Sequence, residues 1–164
     1  GRFKTTVDFD PGPDVYNRTS HGEYDIFLSK CDSAGNFIWA KTWGGDKIDE
    51  GHGVAADGSG NAYVTGCFRE TADFNPGPGV DNRTSNGGND IFLSKFDSTG
   101  KFIWAKTLGS TGYDDGNSVA LDISGNAYMT GSFSGTVDFD TGPGIDNHIS
   151  ENCDDVFLSK FAPE

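Results

Sequence analysis

Asp25-Ile-Phe-Leu-Ser-Lys-Cys-Asp-Ser-Ala-Gly-Asn-Phe-Ile-Trp-Ala-Lys-Thr42 returns almost unchanged as Asp90-Ile-Phe-Leu-Ser-Lys-Phe-Asp-Ser-Thr-Gly-Lys-Phe-Ile-Trp-Ala-Lys-Thr107, and its first half returns again as Asp155-Val-Phe-Leu-Ser-Lys-Phe161. The spacing is 65 residues each time. Each full copy holds two short apolar runs on either side of an Asp-Ser-x-Gly turn, which is the pattern of a β-hairpin. The glycine stands at the fourth loop position, Gly35 and Gly100, where a left-handed backbone is cheap only for glycine.

The same register holds on both sides of this stretch. Asp8-Phe9, Asp73-Phe74 and Asp138-Phe139 keep step with it, as do the Gly-Asn-Ala-Tyr tetrapeptides at 60–63 and 125–128. Within one unit the spacing predicts four strands, at 53–56, 62–68, 90–96 and 102–107, paired as two hairpins. Between the hairpins, residues 70–89 are rich in Pro, Gly and Asn and read as an irregular insertion. Two antiparallel hairpins per repeat predict one blade of a β-propeller, so the expected fold is all-β with about two and a half blades in this chain. The expected divisions are a partial blade at 1–43, a complete blade at 44–108 and an incomplete blade at 109–164. A β-solenoid is the structural rival, but its coils are shorter than 65 residues and lack paired hairpins. Strands such as Ile91-Phe-Leu are apolar at consecutive positions, as expected where neighbouring blades cover both faces. The small-sided runs Val54-Ala-Ala and Val119-Ala-Leu are expected on the innermost strands, and Trp39 and Trp104 between blades on the outermost ones.

Composition agrees with this reading, with 24 glycines and 13% aromatic residues in 164. A net charge of -13 repels nucleic acid and anionic membrane surfaces. The three cysteines, Cys31, Cys67 and Cys153, form neither a disulfide framework nor a CxxC metal pattern. Cys31 aligns with Phe96 and Phe161 and is expected in the core. No run of apolar residues is long enough to span a bilayer, and residues 1–8 show no signal-peptide core.

The pattern D-G-x-x-V-A-x-D-x-x-G-N-x-Y-x-T-G at 115–131, with Glu50 in place of the first Asp at 50–66, is followed by D-I-F-L-S-K-x-D-S-x-G-x-F-I-W-A-K. It resembles the bacterial SBBP β-propeller repeat over nearly the whole chain. The resemblance implies arrays in large proteins, often secreted or at the cell surface. The long insertion with its Asp-Phe-Asp-Pro-Gly-Pro turn is a departure from that pattern.

That turn holds the candidate metal site. Asp8 and Asp10, Asp73 and Asn75, and Asp138 and Asp140 are spaced i, i+2, so in an extended segment their oxygens converge. Asp81 and Asp146 follow eight residues after the first Asp. Such oxygens begin a Ca²⁺ shell; the alternative is that they cap the turn by accepting backbone N–H groups. The acidic pairs Asp49-Glu50 and Asp114-Asp115, each before a glycine at the start of an inner strand, either rim a channel mouth and hold a cation or serve as turn formers. His21, His52 and His148 do not recur, and no catalytic motif is present, so no catalytic residue and no other cofactor is expected. Asn17-Arg-Thr19 and Asn82-Arg-Thr84 fit the N-glycosylation sequon, which the third copy breaks at Ile149.

The expected function is a non-enzymatic extracellular or cell-surface scaffold, stabilised by calcium, that binds a protein or glycan or assembles with copies of itself. The expected partners are further blades or a homo-oligomer, because the last copy lacks the fourth strand that the first copy offers. The alternative is a carbohydrate-active enzyme or glycan-binding module on a propeller frame. Scaffolding uses every unit alike, whereas catalysis leaves one unit chemically odd, and in the repeat alignment no unit stands out.

Overall fold

In the computed structural model, which describes residues 1–163, the chain forms strands and turns with no helix among the described residues. In chain order the strands are β1 (Arg2–Phe3), β2 (Thr6–Asp8), β3 (Asn17–Thr19), β4 (Asp25–Cys31), β5 (Phe37–Gly45), β6 (Glu50–Ala56) and β7 (Ala62–Asp73). They continue as β8 (Asn82–Phe96), β9 (Phe102–Leu108), β10 (Asp115–Leu121), β11 (Ala127–Phe133), β12 (Thr136–Asp138), β13 (Asn147–Ile149) and β14 (Asp155–Phe161). All named strand pairs are antiparallel.

In the middle unit β6, β7, β8 and β9 are hydrogen-bonded side by side in that order. The third unit repeats the first three positions as β10, β11 and β14, and the first unit supplies β1, β4 and β5. The hairpin turns follow one plan. Asp57 Oδ1 accepts the backbone N–H groups of Ser59 and Asn61 at 2.9 and 3.0 Å, and Gly60 takes the left-handed conformation with φ of 80°. Asp32, Asp97 and Asp122 do the same in their own turns.

The insertion is not irregular. Thr71, Ala72 and Asp73 pair with Thr84, Arg83 and Asn82, so it is a hairpin that lengthens β7 and β8; β2 with β3 and β12 with β13 are its counterparts. Three-residue strands between Pro, Gly and Asn leave too short a pattern to read from sequence. The physical reason for order is an aromatic anchor beyond each first strand. Phe74 is fully buried edge-on to Phe68 and beside Phe92, with ring centroids 5.2 Å apart in both cases. Phe9 and Phe139 occupy the same place in their units.

Both hydrophobic clusters lie between units. One joins Ile26 and Trp43 of the first unit to Val64, Phe68, Phe92 and Phe96 of the middle unit. The other joins Tyr63, Ile91 and Leu93 of the middle unit to Val119, Met129, Phe133 and Phe161 of the third. Thus Ile91 and Leu93 face forward while Phe92 and Phe96 face back, which explains consecutive apolar residues on one strand.

Two expectations are corrected. Cys31 is exposed: the surface that covers its counterpart Phe96 comes from the unit before, and nothing among the described residues takes that place beside Cys31. Trp39 and Trp104 do lie between units but are only half-buried. Trp39 lies over the middle unit's turn at Gly100, and Trp104 meets Tyr63 edge-on at 6.1 Å. The fully buried indole is Trp43.

Candidate functional site

The candidate calcium ligands are all found at the tips of the insertion hairpins. Asp8 Oδ1 accepts the N–H groups of Asp10 and Tyr16 at 3.1 and 2.8 Å, and Asp10 Oδ1 accepts that of Gly12 at 2.7 Å. Asp73 receives Asn75 and Asp81, Asn75 receives Gly77, Asp138 receives Asp140 and Asp146, and Asp140 receives Gly142. One oxygen of each of these six capping side chains is therefore engaged in a turn. The side chains of Asp81 and Asp146 turn instead to Arg83 and His148. Asn17 and Asn82, the sequon asparagines, are exposed and pair across the strand with Asp8 and Asp73.

A second recurring feature was only half legible. Asp49 and Asp114, the first members of the acidic pairs, are buried and bind backbone N–H groups on two sides: Gly45 and Arg69 for Asp49, Ser110 and Ser134 for Asp114. Each faces a buried aspartate of the preceding hairpin, Asp25 at the start of β4 for Asp49 and Asp90 within β8 for Asp114. At Gly44 a Cβ would stand 2.8 Å from Asp49 Oδ2 and 3.1 Å from Asp25 Oδ1, so only glycine lets the carboxylates meet there. Burial pushes the Asp49 carboxyl up to about 6, and the Asp25 charge acts in the same direction. Burial pushes Asp90 up to about 7, with Asp114 adding to it, and Asp90 Oδ1 has no hydrogen-bond partner.

The second members of those pairs, Glu50 and Asp115, converge on His52. Glu50 and Cys67 are cross-strand partners on β6 and β7. His52 is the extra residue of a β-bulge between Gly51 and Gly53, a distortion that re-aims a side chain. The Nε2 atom of His52 lies 3.1 Å from Glu50 Oε2, and Nδ1 lies 2.8 Å from Asp115 Oδ1 on the next unit. Donor atoms of Glu50, His52 and Cys67 all fall within 4.8 Å of one another. Among the described residues this is the group in which three His, Cys, Asp or Glu side chains come together, and it lies away from the hairpin tips. Contact with Asp115 holds the imidazole above its ordinary value, while burial, then the charges of Asp115 and Asp49, push the Cys67 thiol up to about 12.

This group makes the middle unit chemically odd, contrary to expectation. The equivalents one repeat on are Asp115, Asn117 and Ser132. Recurrence discounts such residues, and the register fixed by the turn at 57–61 alone would set Glu50 opposite Phe68; the bulge at His52 shifts it by one residue to meet Cys67.

Comparison with known proteins places these features in a family context. An uncharacterized WD repeat-containing protein of Acanthamoeba polyphaga mimivirus is 33% identical over 112 residues, 58% of this chain and 8% of the relative. The regulatory protein FlaEY of Caulobacter vibrioides is 25% identical over 159 residues, 90% of this chain and 17% of the relative. The chain thus spans less than a fifth of the length of either relative. The beta-propeller repeat model of the SBBP family matches residues 32–66 and 103–132, each segment running from one hairpin across a unit junction into the next. At both segments, then, the chain carries the SBBP beta-propeller repeat.

Proposed function

We propose that the chain is part of a non-enzymatic β-propeller scaffold, each unit a four-stranded blade, whose faces are completed by further units of the same kind. One observation carries this reading. Ile91 and Leu93 are 0% exposed under the third unit, whereas Val156 and Leu158, one repeat later, are 86% and 69% exposed. An apolar row that one unit hides under its successor is left open on the next, and the shape that fits it is the Val119 and Met129 face of a following unit. On the opposite side Cys31 of the first unit is exposed where its counterpart Phe96 is buried, so both complementary faces are available on one chain. The relatives, a WD repeat-containing protein and a regulatory protein, support a binding rather than a catalytic role. We place the array outside the cell or on its surface, as the family resemblance implies.

In the isolated chain the complementary faces should stack copy on copy. A head-to-tail contact of this type gives a ring or a filament according to whether its rotation closes. Light scattering should show a mass that rises with concentration between 1 and 100 μM, roughly the range in which modest interfaces associate. Val156→Asp with Leu158→Asp should return the particle to a monomer with unchanged circular dichroism. A wild-type chain that stays monomeric across that range would defeat this reading.

A further inference from the structure

We infer that Glu50, His52 and Cys67 form a binding site for a divalent transition-metal ion of the zinc class. The donor set is one carboxylate oxygen, one imidazole nitrogen and one thiol sulfur, drawn from a β-bulge and a facing strand, all within 4.8 Å. Tetrahedral zinc with these ligands has donors about 3.3–3.7 Å apart, given metal bonds of about 2.0–2.3 Å. The Nε2 to Oε2 separation is 3.1 Å, and the other donor pairs lie within 4.8 Å, so closure asks for a contraction of about 1 Å toward the Cys67 sulfur.

Each donor is also held by a partner of its own. Arg2 pairs with Glu50 Oε1 and leaves Oε2 toward His52. Asp115 Oδ1 stands 2.8 Å from His52 Nδ1, while Nε2 faces Glu50. Asn89 Nδ2 donates to Cys67 Sγ at 3.4 Å. A carboxylate behind a histidine and a hydrogen bond to the thiol are the outer contacts that metal ligands use.

Charge closes as well. A thiolate and a carboxylate neutralise a divalent ion, with the Cys67 thiol proton passing to solvent as the metal–sulfur bond forms. The set uses three protein ligands, and His52 lines a cleft of about 190 Å³ bounded by Gly1, Phe27, Ser29 and Val54. The fourth position therefore faces solvent and takes water or a small ligand. Soft sulfur and imidazole donors select against Ca²⁺ and Mg²⁺, so this site is distinct in chemistry from the hairpin tips.

The repeat supplies the control variant. Glu50→Asp, His52→Asn and Cys67→Ser install what the third unit carries at the same places, in a register that the fold already accepts. Cobalt titration of the 164-residue chain should show one equivalent bound, with a thiolate-to-cobalt absorption band that zinc displaces. The band should persist in Cys31→Ser with Cys153→Ser, vanish in Cys67→Ser, and the triple variant should lose at least about 100-fold in affinity, as for lost ligands and their supports. Metal-free melting curves of the variants check that each is folded. The inference is overturned if the wild type shows no band, if Cys67→Ser keeps it, or if removing the two exposed thiols abolishes it. It stands independently of the stacking proposal, since a monomer can bind cobalt and a stacked assembly can fail to.

Discussion

Asp90 is a buried carboxylate with one oxygen unpartnered and Asp114 close by, and its pH response has a definite sign. Its carboxyl sits at about 7 in the folded chain against 3.8 ordinarily. Between those values the unfolded chain ionises while the folded one keeps the proton, so stability falls as pH rises from about 4 to 7 and is level beyond. Asp49, at about 6, acts with the same sign. The shift at Asp90 sets an upper bound of about 4 kcal/mol on its share. Asp90→Asn should therefore raise the melting temperature at pH 8 by several degrees and leave it unchanged near pH 4: the amide oxygen keeps the Asn86 N–H, and the amide nitrogen donates toward Asp114. Equal midpoints at pH 8 would show that the pair is not under strain. Burial likewise separates the tryptophans. Trp43→Ala should cost about 3–5 kcal/mol, as for other fully buried large aromatics, and the half-buried Trp39→Ala less than half of that in the same denaturant titration.

At the level of the element, the insertion hairpin combines an aromatic anchor with a capped tip. Phe74→Ala removes a ring held between Phe68 and Phe92 and should cost about 3–5 kcal/mol. Asp73→Ala orphans the N–H groups of Asn75 and Asp81, a loss of about 1–3 kcal/mol. A calcium-held tip would melt lower in chelator, whereas a tip held by its own caps would not. With one oxygen of each capping side chain engaged, the expected outcome is a melting temperature that chelator leaves unchanged, read by calorimetry with and without added calcium. The hairpins at 57–61 and 97–101 were legible because Asp and Gly at fixed offsets dictate the turn. The insertion was not, because its order depends on Phe74 reaching a core supplied by other strands. The Phe of Asp-Phe-Asp looks like a spacer between carboxylates in the sequence, yet it is the residue that fixes the loop. The Glu50, His52 and Cys67 group was hidden for a related reason: its third donor arrives across a strand pair, and its second is turned into place by a bulge that no local pattern announces.

At the scale of the molecule, what could be read from the 65-residue spacing was the stacking itself, since apolar residues in succession on Ile91-Phe-Leu require a neighbour on both faces. Which neighbour covers which residue came only with the sheet order. The middle unit is covered on both sides and the outer two on one. Amide hydrogen exchange should therefore be slowest in β7 and β8 and faster by at least about tenfold in β4 and β14, which corresponds to about 1.4 kcal/mol of local stability. Uniform protection across all three would contradict a core that belongs to the junctions. Because no unit owns a core, this is a chain of nearest neighbours in the statistical sense, where each junction contributes and each free end subtracts. Melting should begin at the ends and travel inward like a fraying rope. A series of chains lengthened by whole units should then melt at progressively higher temperatures that level off once end effects are diluted, so that length itself, and not any single residue, becomes the means by which such an array sets its endurance.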